Sequence, residues 1–262
     1  MVTRAGRWSG AALLVVLAAA CSRASDVPTI QVGDTARLTT GSSSSTTTSA
    51  PTTTTAAPST TAPRTTTTVA PTTSTTHPHP PRVVTEEAWV PYATVGPLVL
   101  HLPSDRVEAI GFHQSNLDGA LSQTPLPTAP RWFTMADRDR DTTARGAADV
   151  VVEPGREVRV PVSGTVIEGG TYTLYCDYVD QFVVINPDSR PGWQVKILHI
   201  EGLALRKGQR VEAGVTVLAA HARVLPFPSQ VEDDTGLPRW PHVHIEVDDP
   251  TIPDRPTGPG CP

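Results

Sequence analysis

His242-Val243-His244-Ile245-Glu246-Val247 alternates ionisable side chains with branched aliphatic ones. That two-residue period marks a strand with one wet face and one buried face. Read so, the stretch sends Val243, Ile245 and Val247 into a core and sets the two imidazoles side by side on the opposite face. The same pattern recurs upstream, in Val215 to Ala219, Trp193 to Ile200, Phe182 to Ile185, Tyr172 to Tyr178, Gly164-Thr165-Val166-Ile167, Val158 to Val162, Val150-Val151-Val152 and Pro97 to Leu102. Turn signals such as Glu153-Pro154-Gly155 and Gly169-Gly170 separate the runs. No long stretch carries the 3.6-residue apolar period of a helix, so the expectation is an all-β domain of hairpins around an antiparallel core. The polar stretch from Gln114 to Gly146, with Pro125, Pro127, Pro130 and the run Asp137-Arg138-Asp139-Arg140-Asp141, interrupts the pattern. A loop of that length inside a domain is usually functional or disordered.

The chain before this domain reads differently. Arg4 and Arg7 precede the apolar run Ala11 to Ala20, which is too short for a membrane-spanning helix and reads as a secretory signal. Leu17-Ala18-Ala19-Ala20-Cys21 resembles a bacterial lipobox, with Ala18 where a larger aliphatic residue is usual. A lipidated Cys21 would anchor the protein to a membrane without spanning it; the alternative is an ordinary signal cut near Cys21. From 39 to 82 the sequence is almost wholly Ser, Thr, Pro and Ala. It cannot bury enough apolar surface to offset the entropy of folding, and reads as a disordered stalk with an average span of roughly 35–40 Å. The expected organisation is 1–21 signal peptide with a lipobox-like end, 22–38 short exported segment, 39–82 Ser/Thr/Pro-rich linker and 83–262 folded domain. Export permits disulfides, and a Cys176–Cys261 bridge would pin the tail; sequence alone does not decide it. The net charge of -5 and the lack of a dense basic patch exclude a nucleic-acid partner.

An isolated His-x-His is more often a solvated strand face than a site. Here it has company. His199 ends Val195-Lys196-Ile197-Leu198-His199, and Leu205 through Val217 follows as Leu-Arg-Lys-Gly-Gln-Arg-Val-Glu-Ala-Gly-Val-Thr-Val. Upstream stand Asp149-Val150-Val151-Val152-Glu153-Pro154-Gly155-Arg156-Glu157-Val158 and Val160-Pro161-Val162-Ser163-Gly164-Thr165-Val166. In this order, from about Arg145 to Val247, the pieces resemble the lysostaphin-type (LytM) zinc metalloendopeptidases. In that family a histidine-ended strand precedes a V-x-x-G-Q-x-V-x-x-G segment and a final His-x-His strand. The resemblance implies an antiparallel LytM-type sheet with a groove.

It also implies a site. The family holds zinc with a histidine, an aspartate four residues later and the second histidine of the His-x-His, leaving one position open. Carried over, Asp149 and His244 are metal ligands, and His199 and His242 are the catalytic histidines. The first ligand is replaced: H-x-G-x-D reads Arg145-Gly146-Ala147-Ala148-Asp149 here. A guanidinium offers no lone pair to a metal, and an Arg145–Asp149 ion pair would stand in for the metal's charge. A substitute ligand would have to come from Gly111-Phe112-His113-Gln114-Ser115-Asn116-Leu117-Asp118, with His113 as the candidate and Asn116 and Asp118 beside it. Trp193 and Trp240 line the groove or serve as packing.

Two functions follow from the resemblance. The first is an exported, membrane-anchored, cell-wall-associated domain that has lost catalysis and binds peptidoglycan peptide or regulates a wall hydrolase. The alternative is an active zinc endopeptidase cleaving peptidoglycan peptides with a substitute third ligand. A lipoyl- or biotinyl-type carrier with Lys207 at a turn is a third reading, disfavoured by export and the histidine cluster.

Overall fold

The computed structural model describes residues 78–86 and 89–255. The signal segment with Cys21, the exported segment, most of the Ser/Thr/Pro linker and Cys261 lie outside the described residues. The strands are β1 (Pro91–Val95), β2 (Leu98–His101), β3 (Val107–His113), β4 (Thr124–Pro125), β5 (Trp132–Thr134), β6 (Ala147–Val152), β7 (Val158–Arg159), β8 (Gly164–Leu174), β9 (Tyr178–Pro187), β10 (Gln194–Leu203), β11 (Arg210–Val211), β12 (Val217–Ala222) and β13 (His242–Asp248). A single 3-10 turn, Gln230–Asp234, stands among the described residues. The all-β expectation holds.

The large sheet runs β11-β8-β9-β10-β13-β6-β3-β5, and β2-β1-β4 form a small second sheet. Pairing is antiparallel except between β3 and β5, where Ile110, Gly111 and Phe112 run parallel to Trp132, Phe133 and Thr134. The alternation read from the sequence decides which face is which. Ile110 and Phe112 of β3, Ala148, Val150 and Val152 of β6, Val195 and Ile197 of β10, and Val243, Ile245 and Val247 of β13 share one core. Tyr92, Leu98 and Leu100 of the small sheet pack into the same core. The small sheet therefore covers the apolar face of the large one and leaves its other face to form a groove.

Two apolar clusters flank that groove. Tyr172, Phe182, Val184 and Leu198 form one. Met135, Val151 and Val231 form the other, with Phe133 and Trp240 against it. The polar stretch after β3 is folded: it contributes β4 and β5, and Gln123 is fully buried with its Nε2 donating to Ile245 O at 2.9 Å. The chain entering the domain is tied down as well. Arg82 Nε donates to Glu108 Oε2 at 2.7 Å, and its guanidinium lies 4.1 Å from the Trp240 ring centroid.

Candidate metal centre

Strand pairing assembles the site. In the β13–β6 register His244 faces Asp149, and in the β3–β6 register Gly111 faces Asp149 and His113 faces Ala147. Asp149 thus sits on the middle strand of three. His244 stands directly across on one side, and His113 stands diagonally on the other, within reach of a long side chain. All project from the face opposite the core, because residues two apart on a strand share a face.

The distances are those of a cluster built around one carboxylate. Asp149 Oδ1 is 2.8 Å from His244 Nδ1, 3.2 Å from His113 Nε2 and 3.9 Å from His242 Nε2. One ligand atom from each of His113, Asp149 and His244 falls within 4.8 Å of the others. Zinc bound at ~2.0–2.1 Å places neighbouring tetrahedral ligand atoms about 3.3 Å apart, close to the His113–Asp149 and Asp149–His244 separations. The outer contacts also suit a metal. His113 Nδ1 lies 2.7 Å from Gln114 O; donating there commits Nδ1, so Nε2, beside Asp149, is the nitrogen that a metal would take. His113 and Asp149 are almost fully buried. A His–Asp–His set with the outer imidazole nitrogen of His113 tethered fits zinc.

The electrostatics of the unliganded cluster follow from burial and from these contacts. Burial alone would raise Asp149, but the His113 and His242 imidazoles and the hydrogen bonds from His113 and His244 hold it well below the usual carboxylate range. Burial pulls His244 down, yet hydrogen bonds to Asp149 and Glu246 outweigh it and push the imidazole up to about 9. Glu246 is raised by burial and lowered more by the His244 contact, ending at about 2. Its Oε2 is 3.5 Å from His244 Nε2 and accepts from Ser115 Oγ at 2.6 Å. Burial dominates at His242 and brings it to about 3, so that imidazole stays neutral.

His199 reaches the same face by a different route. By simple alternation it would point away from Leu198 and into the core. The β9–β10 ladder shifts register between Leu198 and Ile200, and His199 adopts φ 62°. A bulge of this kind re-aims one side chain, and a left-handed conformation is uncommon for a residue other than glycine. His199 consequently stands edge-on to His242, ring centroids 5.0 Å apart, and 5.8 Å from the His244 ring. Its Nδ1 is 2.6 Å from Asp180 Oδ2. Asp180 is buried and also accepts from Tyr172 Oη and from the Gln181 backbone N–H, each at 2.8 Å. His199 Nε2 is thereby left for the groove.

The structure therefore gathers His113, Asp149, His199, His242 and His244 around one groove of about 410 Å³. Arg145 is not among them. It lies in the turn before β6, where its carbonyl accepts from Gln123 N–H at 2.9 Å. Among the described residues no ion pair joins it to Asp149; the arginine that approaches is Arg138, 4.0 Å from Asp149 Oδ2. The expected Arg145–Asp149 pair is thus corrected. A residue in the turn stands outside the three-strand pairing that surrounds Asp149, and the imidazoles of β3 and β13 already occupy that space. Asp118 turns away to Arg255, whose Nε is 2.7 Å from its Oδ1. Neither tryptophan lines the groove: Trp193 packs against the main core and Trp240 against the Val231 cluster. Cys176 is disulfide-bonded; its expected partner Cys261 lies outside the described residues.

Sequence reasoning missed Asp180, Tyr172 and the roles of Glu246 and Ser115. Glu246 was readable, since it shares the His242 and His244 face by parity. Asp180 had no local signal: it meets His199 only because β9 and β10 pair.

No family model matches the chain, and no curated protein matches it. Among solved structures, the chain is similar to a zinc containing peptidase from Vibrio cholerae, with 21% sequence identity and a TM-score of 0.29. The match covers 44% of this chain and 30% of that protein's.

Proposed function

We propose that the domain is a zinc-dependent endopeptidase of LytM type in which His113 supplies the ligand that the family takes from the position of Arg145. The observation that carries this is the convergence of His113 Nε2 and His244 Nδ1 on Asp149 Oδ1 at 3.2 and 2.8 Å. It favours the active reading over a domain that has lost catalysis, because that reading relied on an arginine at Asp149. Zinc held by His113, Asp149 and His244 would supply Lewis acidity to a water and to a peptide carbonyl.

The chain's own residues then divide the remaining work. Asp180 holds His199 by Nδ1 and orients its Nε2, the arrangement in which a carboxylate fixes the tautomer of a histidine that moves a proton. His199 takes the proton of the attacking water and returns it to the leaving amine. His242, neutral and buried, donates a hydrogen bond to the oxygen on which negative charge develops. Glu246 and Ser115 hold His244 in place. The Tyr172–Leu198 cluster provides an apolar wall along which an extended peptide lies. Exposed Tyr175 and half-buried Phe227, ring centroids 5.3 Å apart, extend that wall.

The setting proposed from the sequence gives the activity its place: a lipoprotein anchored through Cys21 on the extracytoplasmic side, a stalk for reach, and peptidoglycan peptides as substrate. The test is metal content and peptidase activity of the full chain. One equivalent of zinc, with release of new amino termini from peptidoglycan that chelator abolishes, is the expected result. A protein that takes up no zinc at micromolar excess would return the domain to the binding or regulatory reading.

A further inference from the structure

The alternating run Asp137-Arg138-Asp139-Arg140-Asp141 has a structural sense that the proposed chemistry does not use. Asp137, Asp139 and Asp141 are exposed, whereas Arg138 and Arg140 are partly buried and line the groove beside His113, Asp149 and His244. Asp139 and Asp141, on either side of Arg140, adopt positive φ of 53° and 55°.

Both guanidiniums are held by neutral groups. Arg138 Nε donates to Gln230 Oε1 at 2.6 Å, and Arg140 Nη1 donates to Gln114 O at 2.8 Å. Among the described residues no carboxylate pairs with Arg140, and the only one near Arg138 is Asp149 at 4.0 Å. The other carboxylate of the groove, Glu246, is already engaged by His244 and Ser115. Burial and the neighbouring Arg138 lower the Arg140 proton affinity, so the two cations stand near enough to repel. Two partly desolvated guanidiniums, fixed in direction and with only a distant carboxylate that two imidazoles already engage, are poorly compensated. Fixed guanidinium forks are suited to a carboxylate.

We propose that Arg138 and Arg140 form the anchor for a carboxylate of the peptide substrate, so that the groove selects peptides carrying a free carboxylate close to the bond held at the metal centre. The carboxylate comes from the peptide's C-terminus or from an acidic side chain. That it lies close to the scissile bond rests on the endopeptidase reading; the binding preference does not.

The test uses the full chain, zinc-loaded and zinc-stripped, and four probes measured by titration calorimetry. They are acetyl-tri-alanine as the free acid and as the amide, and the amides of acetyl-Ala-Glu-Ala and acetyl-Ala-Gln-Ala. The expected result is at least about tenfold tighter binding of one acid than of its uncharged counterpart, the scale of a hydrogen-bonded charge pair. It should appear with and without zinc and collapse in Arg138→Gln and Arg140→Gln. A preference for the free terminus assigns a terminal carboxylate; a preference for the Glu peptide assigns a side chain. Equal binding of acids and neutral peptides overturns the proposal, as does failure of every probe to bind at millimolar concentration. A preference seen only with zinc and surviving both substitutions overturns it too, since the carboxylate would then be ligating metal. Should the variants not fold, the arginine Nε–H resonances of the unaltered protein decide: shifts at Arg138 and Arg140 with the acid and not with the amide are required. Absence of zinc uptake would overturn the endopeptidase reading alone and leave the zinc-free comparison standing.

Discussion

Replacing His113 with Gln should remove most of the zinc affinity, whereas replacing Arg145 with Ala should leave it nearly intact. The magnitude can be worked from the ligand set. A full set of four protein ligands binds structural zinc with ~10–16 kcal/mol, so each ligand accounts for ~2.5–4 kcal/mol. At ~1.4 kcal/mol per tenfold this is about two to three orders of magnitude in Kd. His113 belongs near the top of that range, because it is 2% exposed and its Nδ1 is already tethered to Gln114 O at 2.7 Å, so little ordering remains to oppose binding. Gln keeps a polar group of similar length beside Asp149, which is why it is preferred to Ala at a buried position. The assay is competition against a chromophoric zinc chelator at pH 7.5, with melting temperatures measured in chelator as the control for folding. Arg145→His supplies a sharper contrast: introducing a histidine there should gain nothing, since residue 145 sits in the turn and β3 already provides the imidazole beside Asp149. His113→Gln binding zinc within about threefold of the unaltered protein, or Arg145→Ala losing a hundredfold, would refute the ligand assignment.

The remaining expectations concern pH, positioning and packing. In the metal-free protein His244 is raised to about 9, so it contributes stability that is full below its ordinary value near 6.5 and is lost as pH rises toward 9. His242 at about 3 and Glu246 at about 2 are depressed, so their contributions are lost as pH falls, from about 6.5 for His242 and about 4.5 for Glu246. The melting temperature in chelator should therefore peak near pH 6–7, and zinc, which replaces the His244 proton, should flatten the alkaline side; a chelated protein that grows steadily more stable from pH 6.5 to 9 contradicts this. Asp180→Asn should cut peptide hydrolysis by about 10²–10⁴ and alter its pH profile, while zinc affinity stays within about threefold, because Asp180 positions His199 and touches no ligand. Equal loss of zinc and activity would make Asp180 structural. Ile245→Ala, at a fully buried position of β13, should cost ~2–5 kcal/mol by chemical denaturation; a loss below about 1 kcal/mol would mean that the core closes around the gap.

The fold was legible because the two-residue period survives through the sheet. Val243, Ile245 and Val247 were assigned to a core by parity alone and are all fully buried. The same parity placed His242 and His244 together. What periodicity cannot supply is strand order and irregularity. The parallel β3–β5 pair joins strands that carry no signal of direction. His199 breaks parity: its neighbours Leu198 and Ile200 read as regular strand, yet the register shift between them turns His199 onto the Leu198 face. Only a side chain's chemistry, an imidazole at an apparently core position, hinted that the ladder was interrupted there.

The first ligand shows most plainly how a sequence pattern and a site can part. The LytM-type pattern encodes the histidine and aspartate four residues apart, within one local segment. Here the imidazole is 36 positions away from Asp149, on a different strand. Yet the constraint that matters is spatial, and the β3–β6 register meets it by setting Gly111 against Asp149 and His113 two residues further along the same face. Gly111 itself helps, since a methyl group there would sit 2.8 Å from Val231 Cγ2 and 3.1 Å from Met135 Sδ; its absence lets the 3-10 turn and Met135 close over β3. A shift of the β3–β6 pairing by one residue would turn His113 into the core, because parity admits no intermediate. The register of this one strand pair thus decides whether His113 stands beside Asp149. Substitutions that loosen β3, such as Gly111→Ala, should lower zinc affinity without touching any ligand, whereas equivalent crowding on β12, away from the cluster, should lower stability alone. Zinc affinity unchanged in a folded Gly111→Ala protein would show that His113 is held by its own contacts and not by the register of its strand.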